Sequence, residues 1–271
     1  MKTTKSKVLT ESAIMIALAT VLSIVKIAEM PYSGSVTVAS ALPVAIIAYR
    51  HGVKTGLFAG LVHATLQLVL GLSALSYATS WQSAVAIIML DYIVAFTFVG
   101  FAGIFRKSVK NQATALTLGV LLISVLRYIC HVISGATVWA GISIPTAAAL
   151  AYSFIYNATY MIPETIVLTV AALYIGSLID FRMPNPKRIA AQKADAISFA
   201  KPLSGLLVCG AVVFDVAEIF EKLQDAETGE FTLAALPEVN WLAVIIVTAV
   251  ALVASAVLLI INYYSKNKTK V

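Results

Sequence analysis

The chain has 271 residues, is 60% hydrophobic and only 12% charged, and has a mean hydropathy of +0.93. A soluble domain carries about 25% charged residues, so this composition excludes an ordinary soluble globule and predicts an all-α, polytopic membrane protein. The formal charge of +6 does not mark a nucleic-acid binder, because the basic residues sit in short connections beside apolar runs, as cytoplasmic flanks of membrane helices do.

In chain order, apolar runs predict eight spans, near 8–29, 36–50, 53–72, 82–106, 113–140, 147–180, 203–220 and 240–263. Crossing ~30 Å of hydrocarbon takes about 20 helical residues. The second run is short, and the fifth and sixth include interfacial ends. The first follows Lys2, Lys5 and Lys7 without a small-residue cleavage site, so it reads as a retained helix. Ala13 and Ala17 give it a small-xxx-small face, which lets another helix approach closely. His63 lies alone midway along the third span. The fourth carries Asp91 and Tyr92; the fifth carries Arg127 and His131, with Trp139 eight residues beyond His131. The sixth carries Tyr152 and Asn157, then Pro163, which kinks a helix and frees a carbonyl, then Glu164. Asp215 and Glu218 interrupt the seventh, where they cap, pair or mark an interfacial stretch. Cys130 and Cys209 lie in apolar stretches and read as small core residues, with no metal-ligand spacing.

Sixteen of the nineteen Lys and Arg residues fall in alternate connections: 2–7, 50–54, 106–110, 182–201 and 266–270. The loops near 30–35, 73–81 and 141–146 have none, and the loop 221–239 sets Lys222 among five acidic residues. The positive-inside rule then predicts both termini in the cytoplasm, and the bias supports the weak seventh span.

That orientation brings three polar clusters to one depth. Asp91, His131 and Asn157 each lie nine or ten residues in from the outer end of their spans, ~13 Å deep at ~1.5 Å per residue. An ionisable side chain in hydrocarbon is a functional-site hypothesis by default, and three clusters at one depth predict one pocket. Arg127 and His131 are one turn apart and share a helix face; Tyr152 and Asn157, five apart, diverge by about 140°. Aromatic faces beside a buried carboxylate suit a flat, cationic, hydrogen-bonding ligand. Blander readings stand beside this one. Asp91 and Arg127 form a buried ion pair that only joins helices, His131 is a satisfied core residue, or Trp139 belongs to an interfacial belt.

The chain has no GxxxxGK[ST] loop, no HExxH and no GxSxG. It is therefore not expected to hydrolyse ATP, and uphill transport would draw on a partner or an ion gradient. No cofactor, metal site or catalytic residue is expected.

The segments LDYIVAF (Leu90–Phe96), RYICHVISGATVW (Arg127–Trp139) and YSFIYNATYMIP (Tyr152–Pro163), with GSVTVASALP (Gly34–Pro43) and the YRHG that ends in Gly52, resemble the thiamine-binding S-components of energy-coupling factor transporters. The resemblance covers roughly residues 8–182. It implies a six-helix membrane subunit of a prokaryotic plasma membrane that captures extracellular thiamine and docks on a transmembrane coupling protein carrying two cytoplasmic ATPases. It further implies that Asp91, Tyr92, Arg127, His131, Trp139, Tyr152 and Asn157 bind the substrate and that the Ala13/Ala17 face docks the coupling protein. Asp91 then balances the thiazolium or accepts from the amine, Trp139 and His131 stack on a ring, and Tyr152 and Asn157 meet the pyrimidine edge. Arg127 faces the hydroxyethyl end or pairs with Asp91. The loop SYATSWQSAV departs from the family pattern, with Trp81 or Tyr77 as a lid aromatic, and Gly34 and Ser35 stand where some relatives have an aromatic. Beyond the core at 1–182, residues 183–202 read as a basic cytoplasmic linker and 203–271 as an extension with two more transmembrane helices. Three alternatives remain open: a thiamine precursor or phosphate ester as ligand, a membrane enzyme using Asp91 and His131 as an acid–base pair, and a purely structural subunit.

Overall fold

The structure, a computed structural model, describes residues 4–141, 146–189, 200–223 and 233–268. It divides into two compact units, Met1–Lys187 and Arg188–Val271. In the predicted linker 183–202, residues 190–199 lie outside the described residues.

The first unit contains six helical segments. Helix α1 (Lys5–Ile24) starts at Thr4, whose side chain accepts from the Lys7 amide. Its Ser12, Ile16 and Ala19 are buried, at the spacing of one helix face, while Leu9, Ala13, Ile14, Ala17, Leu18 and Val21 are exposed on the other side. An antiparallel hairpin follows, β1 (Lys26–Glu29) and β2 (Ser35–Thr37), with Glu29 opposite Ser35. Its tip holds Tyr32 and Ser33 at φ 61° and 69°. That left-handed conformation is uncommon for residues with a Cβ.

Helix α2 (Leu42–His51) corrects the predicted span 36–50. It is a ten-residue helix after an extended segment, about 15 Å long and too short to cross alone. Pro43 sets its first turn, and Gly52, at φ 96°, ends it by donating its amide to the Ala48 carbonyl at 2.9 Å. The chain enters α3 (Val53–Leu70) at once. Every residue from Leu42 to Tyr49 is buried, which fits an apolar helix packed against α1, α3 and its later neighbours.

Helix α4 (Trp81–Arg106) winds irregularly: Ile87–Val94 is π-helical and Phe98–Arg106 is 3-10. Helix α5 (Gln112–Gly141) and helix α6 (Thr146–Leu178) form the most extensive helix pair. Gln112 caps the end of α6, donating to the carbonyls of Gly176 at 2.8 Å and Ile179 at 2.7 Å. Glycines bring α2 to α5 backbone to backbone. A methyl at Gly100 would stand 2.2 Å from the Leu57 amide, one at Gly103 2.1 Å from the Ala48 carbonyl, and one at Gly119 2.0 Å from the Ala102 carbonyl. Small residues at such crossings supply the close van der Waals contact that drives helix association in lipid.

At the start of α1, Arg50 grips Glu11 with two nitrogens, at 2.9 to 3.1 Å, and donates to the Phe181 carbonyl at 2.6 Å. His51 meets the same carboxylate at 2.7 Å. Just past α6, the Arg182 guanidinium at 3.0 Å holds the Asp180 carboxyl below the usual carboxylate range.

The second unit pairs α7 (Ala200–Leu223) with α8 (Trp241–Lys268). Ser255 donates to the Ser204 carbonyl at 3.0 Å, and Thr248 donates to Asp215, so the two helices run antiparallel. Asp215, expected to cap, to pair or to mark an interfacial stretch, accepts a hydrogen bond from a hydroxyl of the neighbouring helix. Among the described residues, seven helices are long and apolar enough to span a membrane, five in the first unit and two in the second.

Candidate functional site

The end of α1, the β1–β2 hairpin, α3, α4, α5 and α6 converge on a cavity of about 610 Å³. This is within the range of pockets that enclose a small ligand. Five of the seven residues singled out from the sequence line it: Asp91, Tyr92, Arg127, His131 and Asn157.

Asp91 and Tyr92 lie in the π-helical stretch of α4. Such windings re-aim side chains and recur at functional sites. The Asp91 carboxylate accepts from His131 Nδ1 at 2.8 Å and from the Ser134 hydroxyl at 2.7 Å. A carboxylate only accepts, so Nδ1 carries the proton in this bond. Tyr92 donates to the Gly71 carbonyl at 2.9 Å, and a methyl at Gly71 would stand 2.2 Å from the Tyr92 hydroxyl, so only glycine fits there.

Arg127 does not pair with Asp91, which corrects the ion-pair alternative. His131 and Ser134 take both Asp91 oxygens, and Arg127 makes no ion pair among the described residues. Its guanidinium lies over the Phe96 ring, 4.8 Å from the centroid. The residue is buried, at 6% exposure, and its Nε and Nη1 have no hydrogen-bond acceptor among the described residues. Buried donors without partners are costly, and these sit on a residue lining the cavity.

On α6, Asn157 bridges helices. Its Nδ2 donates to the Ser153 carbonyl at 2.8 Å and lies 3.3 Å from the His131 carbonyl, while Tyr160 donates to its Oδ1. Its amide is thus largely used within the protein, leaving one Oδ1 lone pair to accept from a ligand. Tyr152 is half-buried and does not line the cavity; Tyr156, one turn along the same face, does. The divergence of Tyr152 from Asn157 follows from their five-residue spacing.

Glu164, whose role the sequence leaves open, is buried at the cavity wall. It accepts from the Thr37 amide at 2.6 Å and the Thr37 hydroxyl at 2.8 Å, which ties β2 to α6 beside Pro163. At the mouth, Tyr32 of the hairpin tip meets Tyr77 edge-on at 5.1 Å and Tyr156 at 6.2 Å. Tyr77 therefore lines the cavity, whereas Trp81 is 73% exposed and does not. The Trp139 side chain lies outside the described residues, although its backbone belongs to α5.

Sequence reasoning missed Tyr32, Tyr156 and Tyr160. A signal for two of them was present: Ser153, Asn157, Tyr160 and Glu164 are spaced four, three and four residues apart, a polar stripe along one helix face, and Tyr156 adjoins it.

Residues 9–180 match the family model described as Thiamine transporter protein. The chain is 37% identical over 173 residues to the thiamine transporter ThiT of Bacillus subtilis, covering 60% of this chain and 86% of that one. A thiamine transporter ThiT of Lacticaseibacillus paracasei is 28% identical over 126 residues, 43% of this chain and 60% of its own. Among solved structures, ThiT from Listeria monocytogenes superposes with a TM-score of 0.50 at 25% identity, covering 62% of this chain and 92% of that one. All matches of known extent leave part of the chain uncovered, and the family match ends at residue 180, before the second unit begins at Arg188.

Proposed function

The chain belongs to the thiamine transporter protein family, and on that premise we propose that it captures thiamine in the cavity of its first unit and delivers it across the membrane as the substrate-binding subunit of an energy-coupled importer. The observation that carries the ligand assignment is the negative charge of the Asp91 carboxylate at the cavity wall, which accepts from His131 and Ser134 and forms no ion pair with Arg127; Lys26 and Glu29 at the rim pair with each other. A monocation with an aromatic body neutralises that charge, and the tyrosines at the mouth offer it ring faces. The donors of Arg127 then serve the hydroxyl end of the ligand.

The relatives' names describe transport and not catalysis, and Asp91 and His131 hold each other as parts of a binding wall. The exposed Ala13 and Ala17 of α1 form the surface for a transmembrane coupling protein, whose two cytoplasmic ATPases supply the energy. Both termini face the cytoplasm of a prokaryotic cell, following the charge bias of the connections.

The test is calorimetric titration of the purified full chain with thiamine, alongside quenching of tryptophan fluorescence. Saturable binding at nanomolar ligand is expected, with quenching lost in Trp139→Phe. Silence in both measurements refutes the proposal. A second reading, a phosphate ester as preferred ligand, draws on the unpartnered Arg127 donors. Competition separates the two, and thiamine is expected to outcompete its monophosphate.

A further inference from the structure

His63 has no part in the site described above, yet it is wholly buried in the middle of α3, with 0% exposure. An ionisable residue at membrane depth is rarely placed there without a role. Its Nδ1 lies 3.4 Å from the Thr20 hydroxyl oxygen of α1. That hydroxyl donates its own hydrogen to the Ile16 carbonyl at 2.9 Å, so its oxygen accepts, and His63 carries its proton on Nδ1. Nε2 has no partner. On its other side, the His63 ring meets Phe96 edge-on, with centroids 5.5 Å apart. Phe96 is the ring on which the Arg127 guanidinium lies. One turn along α3, Gln67 repeats the link, donating to Ser23 of α1 at 2.8 Å, and both of these residues line the cavity.

We propose that His63 is a positioning residue that couples the ligand cavity to α1: it seats the Phe96–Arg127 stack on one side and grips Thr20 on the other, so that the position of Arg127 and the packing of α1 are set together. This rests on the reading that the cavity takes thiamine. Thr20 is three residues beyond Ala17, so the link ends beside the face proposed to meet the coupling protein. Contacts run from Thr20 through His63 and Phe96 to Arg127; this is a spatial path, and the energetic coupling along it is what the test measures.

The test is a double-mutant cycle on the full chain, reading thiamine Kd by calorimetry for Thr20→Val, Arg127→Lys and the pair. Residues without shared partners act additively. Coupling through His63 instead predicts a deviation from additivity of about fivefold or more in Kd. The same cycle on a His63→Leu background is expected to be additive. If that background does not fold, His63→Gln places an amide near Nε2 and leaves Thr20 ungripped, with the same expected loss of coupling. A merely structural His63 lowers the unfolding midpoint and leaves the cycle unchanged. Additivity in the native background, or coupling that survives both substitutions, overturns the proposal. A native chain that binds no thiamine overturns the functional reading and the coupling with it, whereas additivity with thiamine binding intact overturns the coupling alone.

Discussion

Replacing Asp91 by Asn removes a charge while keeping the shape of the site. The amide oxygen of Asn can still accept from His131 Nδ1, and its nitrogen can donate to Ser134, so both contacts, at 2.8 and 2.7 Å in the native chain, have replacements. What is lost is attraction for a cationic ring. Two unit charges about 5 Å apart attract by about 3 kcal/mol at an effective dielectric of about 20. The Asp91 side chain is 27% exposed, so solvent screening removes about half of this. About 1.5 kcal/mol remains, a weakening of about tenfold in Kd. Asp91→Ala removes the hydrogen bonds as well and strands the His131 N–H, adding about 1 to 3 kcal/mol and bringing the loss to a hundredfold or more. Calorimetry on both variants, with unfolding midpoints to verify the fold, reads the two steps separately. An uncharged carbocyclic analogue of thiamine should bind the Asn variant and the native chain alike. A folded Asp91→Asn chain that binds thiamine within about twofold of native would mean that the carboxylate only orders His131, and the charge argument would fail.

Three further outcomes are expected. The pair Ala13→Trp and Ala17→Trp, on the exposed face of α1, abolishes uptake in cells while purified protein binds thiamine normally; lost binding would show that the two faces of α1 are not separable. Gly100→Ala forces a methyl to within 2.2 Å of the Leu57 backbone, which costs about 1–3 kcal/mol or more and should lower the unfolding midpoint, whereas an unchanged midpoint would refute the backbone packing of α3 on α4. A chain ending at Lys187 keeps the whole cavity, since the compact unit Met1–Lys187 contains every lining residue; its thiamine Kd should match that of the full chain, and a large loss would assign the second unit a part in binding.

The sequence exposed the site where chemistry contrasted with its surroundings. Asp91, Arg127 and His131 stand out because charge is rare in an apolar run, and charge bias together with helix rise brought Asp91, His131 and Asn157 to one depth. Tyr156 and Tyr160 were harder to see, because a tyrosine in a membrane helix differs little from its neighbours until the face it shares with Asn157 is traced. Glu164 was visible, but its partner Thr37 lies 127 residues away, and no local pattern announces such a bond. The hairpin at 26–37 escaped for another reason. Its strands have four and three residues, too short to establish an alternating pattern. The span predicted at 36–50 failed on length, because hydropathy does not register that its first residues are extended and that the helix starts only at Leu42, with Pro43 in its first turn.

The winding of α4 has a consequence for how this site can change. Its π-helical stretch, Ile87–Val94, is underwound, and its 3-10 stretch, Phe98–Arg106, is overwound. The two departures oppose each other in phase. The π-helical stretch therefore turns Asp91 and Tyr92 away from the directions that α-helical winding from Trp81 would give them. Deleting a single residue from Ile87–Val94 would restore α-helical winding and swing Asp91 and Tyr92 to new directions together. The direction of the Asp91 and Tyr92 pair is thus set by the length of this stretch, so a one-residue deletion is expected to change ligand preference, which competition binding would check.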